Sequence, residues 1–135
     1  SVLTMAAGSA GLSHVYTPAE CERLNSLGDR LRERLSVFAA ANGIPFSVSG
    51  YGSILGLHFT RAPIRRVSDI PAAQVLRTLL HLHLLERGYS YARRGLIALS
   101  LPHEEADVDG FAAAVEEFLS KQASLLRHGV LAPSE

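Results

Sequence analysis

Arg93 and Arg94 are the residues whose type and place most readily suggest chemistry. They stand side by side at a bend between two strand-like runs, where a guanidinium can hold a carboxylate through two parallel hydrogen bonds. The plain alternative is a solvated arginine pair in a turn, and spacing alone favours it. Nucleophilic chemistry has poorer material. Ser53, Ser90, Ser100 and six histidines are available, but none lies in a nucleophile-elbow sequence, and residue types do not make a triad. His81 and His83 look like a ligand pair, yet two residues apart on a helix they point about 200° apart. That excludes a shared metal and leaves packing or local hydrogen bonding as the expectation. Glu104, Glu105, Asp107 and Asp109 form an acidic cluster, which a helix start explains because first-turn acids complement the helix dipole. Imine chemistry needs a lysine amine, and Lys121 is the only lysine among thirteen basic residues. No catalytic, cofactor-binding or metal-ligating residue is assigned.

The elements that must carry these groups follow from periodicity. Residues 2 to 14 are small and apolar, with Gly8 and Gly11 spaced to admit another backbone against a helix that is marginal alone. Thr17, Pro18 and Glu20 make a capping box with proline at the first helical position. The helix that follows repeats Leu24, Leu27, Leu31, Leu35 and Phe38 at three and four. Arg23, Asp29, Arg30, Glu33 and Arg34 fill its opposite face, read as solvated and laced by helical ion pairs, and Asn42, Gly43 and Pro45 close it. Phe46 to Ser49 and Ile54 to Thr60 read as strands around a Gly50-Tyr51-Gly52 break. Gly50, Gly52 and Gly56 fail as a dinucleotide fingerprint, because strand residues follow where a helix should open.

After a polar loop from Arg61 to Asp69, Pro71 is expected to open a deeply buried helix through Val75, Leu76, Leu79, Leu80 and Leu84 that stops at Gly88. Tyr89 to Ala92 and Leu96 to Leu101 are further strand-like runs, and from Glu104 a last helix carries Val108, Phe111, Val115, Phe118 and Leu119. Three substantial helices around these strands predict an α+β fold: a three- to four-stranded, mainly antiparallel sheet with helices packed mostly on one face. The tail after Leu126 is expected to fray.

With 135 residues, 47% hydrophobic and 19% charged, the chain is of the globular class and fits one domain. Thirteen basic residues balance thirteen acidic ones and no block of like charge stands out, so neither a nucleic acid nor a membrane is an expected partner. Cys21 is the only cysteine, which excludes an internal disulfide. The opening SVLTMAAGSAGL has no basic leader and no apolar run long enough for a signal peptide or a membrane span, so a cytoplasmic location is the default. Apolar helix formers from the second position, without a cap, read as a chain that starts inside an element.

Taken in order, SVLTMAAGSAGL with YTPAECERLNSLGDRLRERL, then GIPFSVSGYGSILGLHFT, then LLERGYSYARRGLIALSLPHEEADVDGFAAAVEEFL, resemble the carboxy-terminal region of class III aminotransferases, the glutamate-1-semialdehyde aminomutase-like branch especially. The resemblance covers nearly the whole chain and implies the small domain of a fold type I enzyme that uses pyridoxal 5'-phosphate. Residues 1–15 would border a missing amino-terminal cofactor-binding domain, 16–127 would be the small domain, and 128–135 a tail. The cofactor lysine, the aspartate facing the pyridine nitrogen and the phosphate-binding residues would all lie upstream. The segment alone is therefore expected to be inactive and to bind no cofactor, and Lys121 falls where the family has no cofactor lysine. The parent would be a homodimer acting on an amino acid or keto acid. The resemblance carries over a substrate-carboxylate role to Arg94, with Arg93 as the alternate, and the ARRG turn leans toward an aminotransferase over an aminomutase. A non-catalytic assembly module and one half of a split enzyme stay open beside it.

Overall fold

Leucine spacing builds the core. In the computed structural model, which describes residues 1–128, Pro18–Ala41 forms a long helix, α2, whose Leu24, Leu27, Leu31 and Leu35 are buried. Before it lies α1, Val2–His14; after it come β1, Ser47–Tyr51, and β2, Ile54–His58. A single 3-10 turn at Val67–Asp69 leads to α3, Gln74–Glu86. The chain continues through β3, Leu96–Ala98, α4, Glu105–Lys121, and α5, Ala123–His128. The three strands form one antiparallel sheet in the order β1-β2-β3. Leu55, Leu57 and Ile97 point from it into a core shared with α2, α3 and α4. The opposite sheet face leaves Tyr51 and Ile54 exposed. This is the α+β arrangement the pattern predicts, with three strands.

A close approach sets how α2 meets the sheet. Tyr51 pairs with Ile54, so Gly52 and Ser53 form a two-residue hairpin turn, and Gly52 at φ 53° supplies the positive φ such a turn needs at its first position. The turn sits directly on Gly28 of α2: a Cβ on Gly28 would overlap the Gly52 carbonyl oxygen. Asn25, one turn earlier, accepts the Ser53 N–H at 3.1 Å.

Four local expectations are corrected. Glu20 does not return its carboxylate to Thr17 but takes the Arg23 Nε at 2.8 Å, while Thr17 still receives the Glu20 N–H. α3 begins at Gln74, not at Pro71, because Ala73 is out of helical conformation and spends its N–H on the Pro71 carbonyl. Its burial is one-sided: Leu76, Leu80 and Leu84 are buried, but Val75, Leu79, Leu82 and Leu85 stand exposed. Tyr89 to Ala92 is no strand, since the Tyr91 carbonyl is taken by His81 and the Ala92 carbonyl by Gly95. The expected tail lies almost wholly outside the described residues.

The arginines of the charged face of α2 dock the α4 side of the fold, while Glu33 stays exposed and Asp29 keeps a helical ion pair with Arg32 at 2.8 Å. Arg34 forks onto Glu116 at 2.7 and 2.8 Å, Arg30 reaches Glu105 and Asp109, and Arg23 donates to the Leu101 and His103 carbonyls. Such bidentate pairs add orientation as well as energy. By contrast α1 has no buried residue and touches no other element. A lone helix of that length is marginal in water.

Two outcomes are expected. Gly28→Ala should cost about 3 kcal/mol, because the added methyl must push two backbones apart, and urea unfolding would show it as a lowered midpoint at unchanged slope. Removing residues 1–15 should shift the thermal midpoint by less than about 2 °C, since nothing in the folded core rests on them; a larger drop in calorimetry would contradict the isolation of α1.

Candidate functional site

Arg93 and Arg94 are the two central residues of a tight turn that the Gly95 N–H closes onto the Ala92 carbonyl at 2.8 Å. Gly95, at φ 102°, is required there: a Cβ would come within 2.8 Å of the Leu57 carbonyl oxygen. Its own carbonyl accepts the Leu57 N–H at 2.9 Å, extending the β2–β3 ladder to the foot of the turn. On the other side, His81 of α3 donates from Nδ1 to the Tyr91 carbonyl at 2.7 Å. The turn is thus held from the sheet and from α3, while both guanidinium groups it carries are exposed and make no hydrogen bond or ion pair among the described residues.

The histidine pair divides as the helical geometry requires. His81 serves the arginine turn, and His83 Nε2 bonds the Ala114 carbonyl of α4 at 2.9 Å, with its ring edge-on to Phe118. Sequence reasoning missed His81 as a support of the turn. The available signal was position alone: four residues after Arg77 on one face of α3, the face that meets the segment leading to the turn.

Beneath the turn the surroundings are apolar with a few polar groups inside. The Tyr91 hydroxyl is buried without a hydrogen-bond partner among the described residues, and burial pushes its ionisation far above the usual phenol range. His58, 8% exposed, holds the Ser49 hydroxyl at 2.7 Å. Burial, and then the charge of Arg77, keep its imidazole below the ordinary range. A cleft of about 650 Å³ runs along the same segment, bordered by Tyr89, Tyr91, Ile97, His103, Asp107 and Phe111.

Other candidates are accounted for by packing. Lys121 ion-pairs with Glu117 at 2.6 Å, whose carboxyl is held at about 2 mainly by the Arg87 fork and then by Lys121 itself. In the acidic cluster, Glu105 and Asp109 serve the arginines of α2, and Asp107 accepts the Glu104 N–H at 2.9 Å at the start of α4. Ser100 meets His103 at 3.0 Å, Ser53 belongs to the hairpin, and Ser90 is exposed. The structure does not bring the three serines together with a base and an acid. No group of three or more His, Cys, Asp or Glu side chains able to hold a metal occurs among the described residues. No described helix is long and apolar enough to cross a membrane.

No protein-family model matches the chain. Over 93% of its length, and 29% of the relative's, it is 38% identical to the β-phenylalanine transaminase of Variovorax paradoxus. The crystal structure of a β-phenylalanine aminotransferase from that organism superposes with a TM-score of 0.87, covering 93% of this chain and 29% of that one. Identity is 36% to an uncharacterized aminotransferase of Schizosaccharomyces pombe, over 93% of this chain and 28% of that protein. It is 35% to a glutamate-1-semialdehyde 2,1-aminomutase of Sorangium cellulosum, over 87% and 28%. The chain therefore spans well under a third of the relatives it matches.

His58 makes a test of the interior beneath the turn. Its folded-state pKa lies below the unfolded 6.5, so the unfolded chain binds more protons as pH falls. Its contribution to stability is full above about pH 6.5 and is lost as pH falls through the folded value. Urea unfolding at about pH 7.5 and about pH 5.5 should show a larger loss for the natural chain than for His58→Gln; equal losses would show that the imidazole is not held neutral.

Proposed function

Because the chain is homologous over nearly its whole length to part of the class III pyridoxal-phosphate-dependent aminotransferases, we propose that it is their carboxy-terminal small domain and serves to hold a substrate carboxylate on the Arg93–Arg94 turn. In this reading residues 1–15 border an amino-terminal cofactor-binding domain, 16–127 form the small domain, and 128–135 are a tail. The parent is a cytoplasmic homodimer that moves an amino group between an amino acid or amine and a keto acid.

One observation carries the role: two exposed guanidinium groups, without a partner among the described residues, sit on a turn that the sheet and α3 both pin. A carboxylate, like a phosphate, presents two oxygens that match such a fork, and the amino and keto acids of this reading carry the former; fixing it orients the rest of the substrate. Arg94 is the first choice and Arg93 the alternate. The arginine positions substrate and transfers no proton.

The residues present do not fit the cofactor itself. Lys121 is the only lysine, and its amine is tied to Glu117 on α4, so the chemistry that pyridoxal phosphate supplies as an electron sink belongs to the rest of the parent. The naked α1 supports the same division, because an apolar helix with no partner of its own is suited to cover another part of the protein. Intramolecular amino transfer of the aminomutase type is the second function, favoured by the 35% identity to the Sorangium aminomutase.

Two measurements test this. Pyridoxal phosphate added to the chain and reduced with borohydride should leave no specific adduct at Lys121 by intact mass; a stoichiometric adduct there would overturn the assignment. In the chain joined to its cofactor-binding part, Arg94→Gln should raise KM for a carboxylate substrate by about 10- to 100-fold, the loss of one charged bidentate pair, and leave an amine without a carboxylate unaffected. An equal effect on both substrates would remove the carboxylate role.

A further inference from the structure

β3 is the last strand of the sheet, and the ladder shows which of its groups face outward. Antiparallel pairing alternates bonded and non-bonded residues. The Gly95 carbonyl takes the Leu57 N–H, Ile97 stands opposite Leu55, and the Leu99 N–H goes to the Ser53 carbonyl. Leu96 and Ala98, which alternate with these, therefore turn a donor and an acceptor each away from β2, and no described strand pairs with that edge. Residues 96–101 hold neither a charged side chain nor a proline, the ordinary guards of an open edge. The cleft of about 650 Å³ lies along it, with β3 on one side and residues 88–92, which do not pair with β3, on the other. Ile97 points into the core, so a side chain beside it on an added strand points the same way, among Tyr91, Val108 and Phe111 of the cleft lining. Among the described residues of that lining, Asp107 supplies the one carboxylate. It is exposed, one of its oxygens takes the Glu104 N–H at 2.9 Å, and no described arginine or lysine pairs with it. The imidazole of His103 is tied through Nδ1 to the Ser100 N–H at 2.9 Å.

We propose that this cleft is a docking site for an extended peptide segment of a partner protein. The segment adds a strand to the open edge of β3, seats one apolar side chain beside Ile97 and sets a basic side chain against Asp107. Backbone pairing supplies affinity in such a site, and the alternate side chains supply selectivity. The edge from Leu96 to Leu99 offers about 10 Å of strand, and an extended backbone is the ligand whose donors and acceptors match Leu96 and Ala98 at that spacing. A small apolar ligand would contact the walls and leave those groups unpaired. A folded second copy would bring its own residues 88–92 against the edge it had to reach. The carboxylate of Asp107 selects the charge of the segment, because a cation there meets an acid that the chain leaves without an ion pair. The site uses neither guanidinium group of the Arg93–Arg94 turn and does not rest on the reading of that turn.

The test titrates the 135-residue chain with the peptide acetyl-Thr-Leu-Thr-Lys-Thr-amide, whose leucine and lysine share one face of a strand, and reads two-dimensional amide NMR. The Leu96 and Ala98 amides should shift on binding. The same peptide methylated on its backbone nitrogens should bind at least about tenfold more weakly, since it loses its donors to the edge. Ala98→Pro, which removes an outward N–H that the sheet does not use, should weaken the unmethylated peptide about fivefold. Asp107→Asn, which keeps an oxygen for the Glu104 N–H, should weaken it about threefold, and so should glutamate in place of the peptide's lysine. Absence of shifts at Leu96 and Ala98 overturns the proposal. So does equal binding of the methylated peptide, which would make the cleft an apolar pocket alone, or equal binding of the lysine and glutamate peptides. Shifts at the same two amides that appear with protein concentration alone, with a doubled mass in sedimentation, would give the edge to a second copy and overturn it as well. Thermal unfolding checks each variant, and the methylated peptide decides without any substitution if Ala98→Pro unfolds.

Discussion

Everything that presents the arginine turn hangs on the contact between Gly28 and Gly52. A helix cannot lie flat on a hairpin turn unless one of them gives up its side chain, and here both have. The hairpin turn then rests on α2 with Asn25 gripping the Ser53 N–H, which places β2 in register along the core through Leu55 and Leu57. Leu57 in turn fixes Gly95 by its N–H and crowds it by its carbonyl. From a missing methyl on a helix the chain of consequence therefore runs, through one strand, to the residue that ends the Arg93–Arg94 turn. Substitution at Gly28 and at Gly95 strains different ends of the same support.

Charge is distributed with equal consequence. α2 and α4 are both amphipathic, and their apolar stripes alone would let them slide or rotate within the tolerance of leucine packing. Arg34 on Glu116, Arg30 between Glu105 and Asp109, and Arg23 on two carbonyls set the register of the pair. Arg87 does the same for the end of α3 against Glu117 of α4. These pairs are partly exposed, so each contributes modestly to stability. These contacts occupy Glu105, Asp109, Glu116 and Glu117, and no described carboxylate pairs with Arg93 or Arg94.

Periodicity made most of the helices and both strands of the hairpin readable, because leucine at three and four, and alternation at two, each report one buried face. What it could not report was partnership. The same Arg23, Arg30 and Arg34 spacing describes a solvated face and a docking face, and only the arrival of α4, whose Glu116 is 82 residues away from Arg34, distinguishes them. The Tyr89–Ala92 run has the residues of a strand, but its carbonyls find closer acceptable donors in His81 and Gly95 than in a ladder. α3 reads as apolar all round, and a single chain cannot say which of those apolar positions its own core will use. For the site, the arginine pair and the bend were legible in the residues; the support by His81 depends on α3 crossing that segment, a tertiary fact with no local signature.

The exposed leucines of α3 and the bare α1 belong to the same physical situation as the unpartnered arginines. Leu76, Leu80 and Leu84 give the helix a complete inner stripe, and a self-contained domain would gain nothing from the second stripe of Val75, Leu79, Leu82 and Leu85 on its outside. Exposed apolar area costs free energy in water in proportion to its extent, and α1 adds a whole helix of it. A chain that pairs most of its arginines internally, yet leaves apolar surface on two helices and guanidinium groups on one edge, has surface suited to contacts beyond its own core. The relatives, more than three times its length at 29% coverage, supply the scale of what those contacts would require.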